Sequence, residues 1–448
     1  MTRRFNDQEL KELAKPFEDH ALAALEAGDL ASVRHWLKQM QQGQAGLDAL
    51  SGHALARKMG KLRQDFGEAR ARELLQRIGA QVMKTWTRQF LEGEEKAAIT
   101  DLIAVYRHQG DAQPAPLTET EDEVILDLLP CGSGGRLERQ GLPRKHPDWY
   151  GNWSDGVSSF CQGCKACQAA LNESVGKTVW TTEKGPDGSC HMRFSKGTRT
   201  GAALFSRQER QGLVQTRVQK ATAKLDAGDT DIADLLRGQR KEWMPWHDVG
   251  VVWLEYFYAT ALEQGGADYL DELLAQTYEP AFDAGFPHYS RLSDRELVAE
   301  VAKTWNYHCA DFSIEEEDDR FVFRLDPCGS GGRLFRGRMW RDMFHYGEPM
   351  APLMEDPHNI NFNRRHAPTY CTHCAASNRA QLREGPGGTN PRFFVIDGHA
   401  QLKPGQACRQ FTYKKASARE DMDKAVPAQI GLHWTSPERK IPTKTKQE

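Results

Sequence analysis

Four cysteines recur in the same order in each half of the chain. In each half one cysteine follows a predicted strand, two form a C-x-x-C pair expected in a tight turn, and one lies in the last predicted strand. Four thiolates brought together in this way suit a tetrahedral zinc ion. We therefore predict two zinc ions per chain, one in each half. The predicted ligands are Cys131, Cys161, Cys164, Cys190, Cys328, Cys371, Cys374 and Cys408.

The same cysteines allow other chemistry. Cys161, Cys164 and Cys167 have the spacing of a ferredoxin-type iron–sulfur motif, but Ser377 takes the place of Cys167 in the second half. An iron–sulfur cluster is therefore the second candidate cofactor. Buried cysteines that pack as small apolar side chains, or that form disulfides, are further alternatives.

Two histidines, His146 and His366, occupy matching positions in the two halves, each after two basic residues. Either imidazole is an alternative metal ligand, or can hydrogen bond to a ligand. A basic surface patch explains the same residues equally well. A histidine or a water molecule in the fourth position would open the metal to catalysis.

The octapeptide PCGSGGRL occurs at 130–137 and again at 327–334. Its glycines expose backbone N–H groups, and an arginine offers a planar fork to a carboxylate or phosphate. One interpretation is that Arg136, Arg333, Ser330 and Gly331 bind an anionic ligand. The interpretation that we favour is that the glycines let backbone amides approach a metal-bound sulfur. The loop is not a P-loop, because no Lys-Ser/Thr pair follows it.

Three polar residues of the second half are candidate catalytic groups. Asp248 and Glu255 lie seven residues apart on an apolar, aromatic helix and so share a face. Burial there would raise the pKa of a carboxyl group and suit it to acid or base chemistry. His308 lies at the end of a later helix. The structural alternative is that Asp248 and His308 stabilise helix ends, and that Glu255 is a satisfied or partly exposed residue.

These motifs belong to an internal repeat. Leu25-Glu-Ala-Gly-Asp29 matches Leu225-Asp-Ala-Gly-Asp229, 200 residues later, and Phe5 and His108 match Phe205 and His308 at the same spacing. We predict two units, at 1–200 and 201–437, followed by a flexible basic tail at 438–448.

Helices precede strands in each predicted unit. Apolar spacing of three and four predicts helices within 7–108 and 207–309, among them 30–42 and 48–66 in the first unit and 247–264 and 266–284 in the second. Strand patterns and the cysteines lie within 121–195 and 318–415. The predicted fold class is α+β: two tandem copies of a helical bundle followed by a small antiparallel sheet with a cysteine metal site.

Composition narrows the range of partners and compartments. The chain has 448 residues and a net charge of −3, so no basic excess favours nucleic acid or an anionic membrane surface. No window has the apolar length of a membrane span, and the N-terminus lacks a signal-peptide core. We expect a cytoplasmic protein that binds neither nucleic acid nor membrane.

The order of these features resembles the 4-vinyl-reductase-type small-molecule-binding domain and the related aminothiazoline-carboxylate-hydrolase-like proteins. The resemblance rests on 124–131, Cys161, Cys164 and 190–194, together with their equivalents in the second half. It implies a pocket for a small organic ligand between the helices and the sheet, and it carries over no substrate residues.

The sequence thus supports three hypotheses of function. The first is a zinc enzyme, a metal-dependent hydrolase or lyase, acting on a small anionic molecule with its chemistry in the second half. The second is a binding or sensing protein with purely structural zinc, which four closed thiolates would favour. The third is an iron–sulfur redox protein.

Overall fold

The computed structural model describes residues 3–110, 112, 114–185, 187–278, 288–289, 291–335, 353–363, 365–382, 392–395 and 408–414. The predicted tail at 438–448 lies outside these residues. Helices and small antiparallel sheets alternate along the chain, which confirms the predicted α+β class.

The helices of the first half come mainly before its strands. The helices are α1 Asp7–Ala14, α2 Phe17–Glu26, α3 Leu30–Phe66, α4 Glu68–Val82, α5 Lys84–Leu91, α6 Glu95–Tyr106, α7 Gly134–Arg139, α8 Leu142–Lys145, α9 Pro147–Tyr150 and α10 Ser159–Val175. The strands are β1 Thr118–Glu119, β2 Glu123–Leu128, β3 Trp180–Lys184 and β4 Cys190–Ser195.

The second half repeats this order. Its helices are α11 Arg207–Leu213, α12 Arg217–Asp226, α13 Ala233–Arg237, α14 Gln239–Thr277, α15 Asp294–Tyr307, α16 Gly331–Phe335 and α17 Thr372–Leu382. Its strands are β5 Phe312–Glu316, β6 Arg320–Leu325, β7 Leu353–Met354, β8 Ala367–Pro368, β9 Arg392–Val395 and β10 Cys408–Tyr413.

Each half contributes one four-stranded antiparallel sheet, and the two sheets have corresponding strand orders. The first runs β1-β2-β4-β3 and the second β5-β6-β10-β9. Leu128 of β2 pairs with Cys190 of β4, and Leu325 of β6 pairs with Cys408 of β10. The strand that enters each PCGSGG loop therefore ends beside the last cysteine of its half.

Two long helices, α3 and α14, were each predicted as two shorter ones. The break expected near Gly43 is absent, and α3 continues through this glycine. The ring of Tyr307 packs against the backbone at Gly43, where an added Cβ would overlap it. In α14 the predicted break is a kink at Gly266, whose φ is +75°. The two helices are therefore 37 and 39 residues long, and each packs against elements of both halves.

The predicted boundary near residue 200 separates two sheets but not two hydrophobic cores. The largest core cluster combines Leu74 and Trp180 of the first half with Phe257 and Tyr370 of the second. The halves therefore share their interior.

The first residues of each half donate backbone hydrogen bonds to a glutamate of a sheet. The start of the first half binds the second sheet, and the start of the second half binds the first sheet. The carboxylate of Glu316 accepts hydrogen bonds from the backbone N–H groups of Arg4 and Phe5, at 2.7 and 2.9 Å. Glu119 in the first sheet accepts from the N–H groups of Leu204 and Phe205, at 2.5 and 3.3 Å. The first residues of the chain thus bind to β5, the edge strand of the second sheet.

In the part of the chain that the structure describes, no helix is both long enough and apolar enough to cross a bilayer.

Candidate functional site

The PCGSGG loop of the second half packs directly against the end of helix α15. A Cβ at Gly329 would lie 1.4 Å from the carbonyl oxygen of His308, so only glycine fits between the loop and this helix end. In the first half a Cβ at Gly132 would lie 1.8 Å from the carbonyl oxygen of Gln109. The glycine after the cysteine therefore sets the position of the following serine in both halves.

The arginine of each loop binds an aspartate on the long helix of the same half. Arg333 donates two hydrogen bonds to Asp248, at 2.6 and 2.8 Å, and both side chains are buried. Arg136 donates to Asp48 at 3.0 Å. The guanidinium groups that one interpretation assigned to an anionic ligand thus already hold a carboxylate of the protein. Because α14 begins at Gln239, Asp248 does not stabilise a helix end, as the structural alternative expected, but pairs with Arg333 from inside the helix.

The four cysteines of the second half lie around one cavity wall. Cys328, Cys371, Cys374 and Cys408 all line the same cavity. Burial raises the pKa of Cys371 well above its ordinary value, and the three neighbouring thiols add to the rise. The pair Cys371 and Cys374 stands at the start of helix α17 rather than in the tight turn that we expected.

One backbone amide of the glycine loop approaches the sulfur of its cysteine. The N–H of Gly332 donates to Sγ of Cys328 at 3.0 Å. A Cβ at Gly331 would lie 2.8 Å from Sγ of Cys371. Of the predicted ligand-binding residues in this loop, Ser330 and Gly331 line the cavity and Arg333 does not.

The cysteines of the first half are also grouped and buried. Burial raises the pKa of Cys161 to about 12, and the thiol of Cys131 adds to this rise. Burial also raises the pKa of Cys164, with Cys161 and Cys190 as neighbouring thiols. Cys161 and Cys164 lie on helix α10, again on a helix rather than in a turn.

No metal cage is preformed in the described side chains. Among the residues that the structure describes, no three histidine, cysteine, aspartate or glutamate side chains are arranged to hold one metal ion. His146 is exposed at the junction of α8 and α9. His366 is exposed and pairs with Glu355 at 2.7 Å. Neither histidine lines the cavity beside the cysteines, where His373 lies instead.

A cavity of about 580 Å³ lies between α3, α14, α15 and the end of the second sheet. This volume is in the range of small-molecule pockets. Aromatic and apolar side chains form much of its wall: Leu47, Leu50, Ala54, Leu254, Tyr258, Tyr278, Tyr289, Val301, Trp305, Tyr307 and Tyr370. Its polar side chains include His308, Ser330, His373, Gln410 and the ion-paired Glu300 and Lys303.

Helix α3 carries Gly43 and Gly46 on the cavity wall: Gly46 faces open space, and Gly43 accommodates the ring of Tyr307. The residues 200 positions later, on α14, are Trp243 and Trp246. Trp243 packs edge-on against His108, with ring centres 5.5 Å apart, and stacks on Trp246. Tryptophan rings therefore lie beside the first-half site, whereas glycines stand at the corresponding positions beside the second-half cavity.

A buried hydrogen-bonded chain connects the ion pair to the cavity. Nδ1 of His247 lies 3.0 Å from Oδ1 of Asp248, and Nε2 of His247 lies 3.1 Å from Nδ1 of His308. Oγ of Ser330 lies 3.4 Å from His247 and 3.2 Å from His308. Burial, followed by the neighbouring imidazoles, lowers the pKa of His308 to about 3, so this ring is neutral at pH 7.

Glu255 is fully buried but does not line the cavity. Its Oε1 lies 2.7 Å from Oγ1 of Thr369, and its Oε2 accepts from the N–H of Tyr370. Burial raises its pKa to about 8, in the direction expected for a carboxyl group on an apolar helix. The contacts of Glu255 hold the segment that leads into Cys371.

Three residues near the cavity were not among the predicted site residues. His247 precedes the predicted Asp248, and His373 lies inside the second C-x-x-C pair, so both stood next to recognised motifs. Lys58, one turn after Ala54 on α3, is fully buried near the rings of Tyr258 and Tyr278. No local pattern marks it, because its partners come from the other half.

Comparison with known proteins adds no relative to this description. No family model, no curated protein and no solved structure matches the chain.

Proposed function

We propose that the second half is an enzyme unit that acts on a small organic molecule in its cavity, and that the first half is a diverged copy with a structural role. The cavity of about 580 Å³ is the observation that carries this proposal, because it joins the cysteine set to Ser330 and His308. Its aromatic wall favours a largely apolar ligand with a few polar groups.

The proposal of a tandem duplication is supported by equivalent contacts as well as by sequence. The two sheets share one strand order. Asp48 and Asp248 bind the loop arginine of their own half. A pocket between helices and sheet is also what the resemblance noted above implies.

Divergence between the proposed copies favours the second as the active one. Gly43 and Gly46 border its cavity, whereas Trp243 and Trp246 stand at the corresponding positions beside the first site. The second half also has His247 where the first has Leu47. We therefore assign ligand binding to the cavity beside the second-half cysteines, to whose wall α3 of the first half also contributes, and not to the first-half site.

We further propose zinc as the ion of both cysteine sets. Thiols suit zinc chemically, and four of them share the cavity wall of the second half. The described side chains are not closed around one point, so the proposal rests on donor chemistry and on the grouping of the sulfurs. Bound there, zinc would act as a Lewis acid or hold the fold together, depending on whether a coordination position stays open.

An anionic ligand is not part of the proposal. The expectation of negative charge depended on Arg333, whose two hydrogen bonds go to Asp248. Lys303, whose side chain lies on the cavity wall, pairs with Glu300 at 2.9 Å.

Metal analysis of the purified full-length protein tests the metal proposal. We expect about two zinc ions per chain, one for each four-thiolate set. Cys371→Ser and Cys374→Ser should each lose one ion, whereas Cys309→Ser, a buried cysteine outside the sets, should keep both. A metal-free protein would overturn the zinc proposal. A brown protein containing iron and sulfide would replace it with a cluster.

Ligand binding by the cavity is tested separately with an anilinonaphthalene sulfonate dye. We expect the dye to bind with a stoichiometry of one, in the second half, and to be displaced by small aromatic esters. Binding that survives obstruction of the cavity would contradict the assignment of the site.

A further inference from the structure

We infer that Ser330 is a nucleophile for acyl transfer, with His247 as its general base and Asp248 as a positioning residue. The inference rests on the proposed ligand cavity of the second half and not on zinc. The corresponding substrates are esters or thioesters of small, largely apolar acids.

Ser330 stands where a nucleophile can meet a ligand. It belongs to the glycine loop, lines the cavity and is 6% exposed. Its Oγ is 3.4 Å from Nε2 of His247 and 3.2 Å from Nδ1 of His308. A serine hydroxyl becomes nucleophilic when an adjacent base takes its proton. The distance to His308 lies within the usual range for such a pair, and the distance to His247 is one that must shorten when a ligand binds, as catalytic hydrogen bonds do in unliganded sites.

His247 is the better base of the two imidazoles. Its Nδ1 lies 3.0 Å from Oδ1 of Asp248, and because a carboxylate oxygen only accepts, Nδ1 carries the hydrogen and Nε2 is an acceptor. Two groups face this acceptor: Nδ1 of His308 at 3.1 Å and Oγ of Ser330 at 3.4 Å. Arg333 holds Asp248 through both carboxylate oxygens. In the described part of the chain, His308 has no such carboxylate partner.

The first half shows that the loop folds without this arrangement. Ser133, the serine of its PCGSGG sequence, donates directly to Oδ1 of Asp48 at 3.1 Å. Leu47 precedes Asp48 where His247 precedes Asp248. The second half therefore carries a histidine between aspartate and serine that the loop does not require for its shape.

The reaction follows from these positions. Oγ of Ser330 forms a bond to the acyl carbon, the bond to the leaving group breaks, and the serine proton passes through Nε2 of His247 to the leaving alcohol or thiol. Water then attacks the acyl-serine ester, giving a proton to His247, and the carboxylic acid leaves as Oγ recovers its proton.

Labelling with phenylmethanesulfonyl fluoride tests the inference in the full chain. Oγ would form a bond to sulfur, and fluoride would leave with the serine proton. We expect one label per chain, mapped by peptide mass spectrometry to Ser330. Ser330→Ala should remove the label, whereas Ser133→Ala and Ser51→Ala should keep it, the last being a matched control on the same cavity wall.

The base and the positioning residue are tested by the kinetics of labelling. His247→Gln should lower the maximal labelling rate by roughly 10²-fold while the half-saturating probe concentration stays the same. Asp248→Asn also leaves Arg333 without its anion and should lower stability, so its rate constant is measured under conditions where circular dichroism shows the variant to be folded. The folded variant should bind the probe normally and be labelled more slowly, whereas a purely structural role would leave the rate constant of the folded protein unchanged.

Two results separate failure of this inference from failure of the cavity proposal. A protein that binds the dye but is not labelled at Ser330, or is labelled at Ser51 or Ser377 instead, overturns the nucleophile and leaves the cavity. A protein that neither binds the dye nor takes the label overturns both.

Discussion

Arg333 and Asp248 form a buried, two-pronged ion pair that joins the PCGSGG loop to the long helix of its half. Their atoms are 2.6 and 2.8 Å apart, and the side chains are 4% and 1% exposed. In the first half, Arg136 donates to Asp48 at 3.0 Å, and the side chain of Arg136 is 12% exposed. Both loops thus use an arginine–aspartate pair to bind their long helix, and the pair of the second half is more deeply buried.

Breaking this pair should destabilise the protein strongly. Arg333→Met leaves the carboxylate of Asp248 buried without its cation, and we expect a loss of about 3–5 kcal/mol in the free energy of unfolding. Arg136→Met should cost less, because Arg136 is the more exposed of the two arginines and Ser133 also donates a hydrogen bond to Asp48. Urea denaturation measures both. The double variant Asp248→Asn with Arg333→Met should recover part of the loss; equal effects of the two arginines would contradict the difference in burial.

Filling the cavity from helix α3 should abolish ligand binding without unfolding the protein. A Cβ at Gly46 meets no atom within 4 Å, so the ring of Gly46→Trp can enter the cavity. Tryptophan is also the residue at the corresponding position of α14, Trp246. We expect loss of dye binding. Gly46→Ala is the matched control and should retain binding while raising stability by about 0.5–1 kcal/mol, because glycine is costly inside a helix. Dye binding by the tryptophan variant at wild-type affinity would place the ligand elsewhere.

The buried carboxyl group of Glu255 should make stability fall as the pH rises. Its folded pKa is raised to about 8, against 4.5 for the exposed group, so between these values the folded state holds a proton that the unfolded state releases. The resulting loss, on the order of a few kcal/mol, is complete above pH 8. Glu255→Gln keeps partners for Thr369 and Tyr370 and should remove this dependence. Unfolding free energies at pH 5 and pH 8.5 measure it, and parallel slopes for the two proteins would argue against a buried carboxyl group.

Lys58 should have the opposite dependence on pH. Burial lowers its folded pKa to about 7, against 10.5 when exposed, so the unfolded state binds the extra proton between these values. Stability therefore rises with pH from 7 to 10.5, and the full penalty applies below pH 7. Lys58→Met should stabilise the protein at pH 6, on the order of a few kcal/mol, because the variant no longer buries a charged amine. Melting temperatures at pH 6 and pH 9.5 test this: an advantage of the methionine variant that stays constant with pH would show that the amine is not buried uncharged.

Local patterns predicted the elements of this fold well and their lengths less well. Alternating apolar residues located β2 and β6, and spacing of three and four located most helices. Gly43 was expected to interrupt α3, but the helix continues because the ring of Tyr307 fills the space beside it. A neighbour 264 positions away cannot be recognised from local sequence, and the helix boundary was therefore misplaced.

The sequence by itself determined the order of the cysteines, the two glycine loops, the α+β class and the matching positions of the halves, because each is a local pattern or a repeat. Only the tertiary structure decided that Arg333 binds Asp248, that His247 lies between Asp248 and Ser330, and that the cavity adjoins the second half. These outcomes depend on where α3, α14 and the loops meet, and contacts between residues distant in sequence are selected by packing and burial of the whole chain.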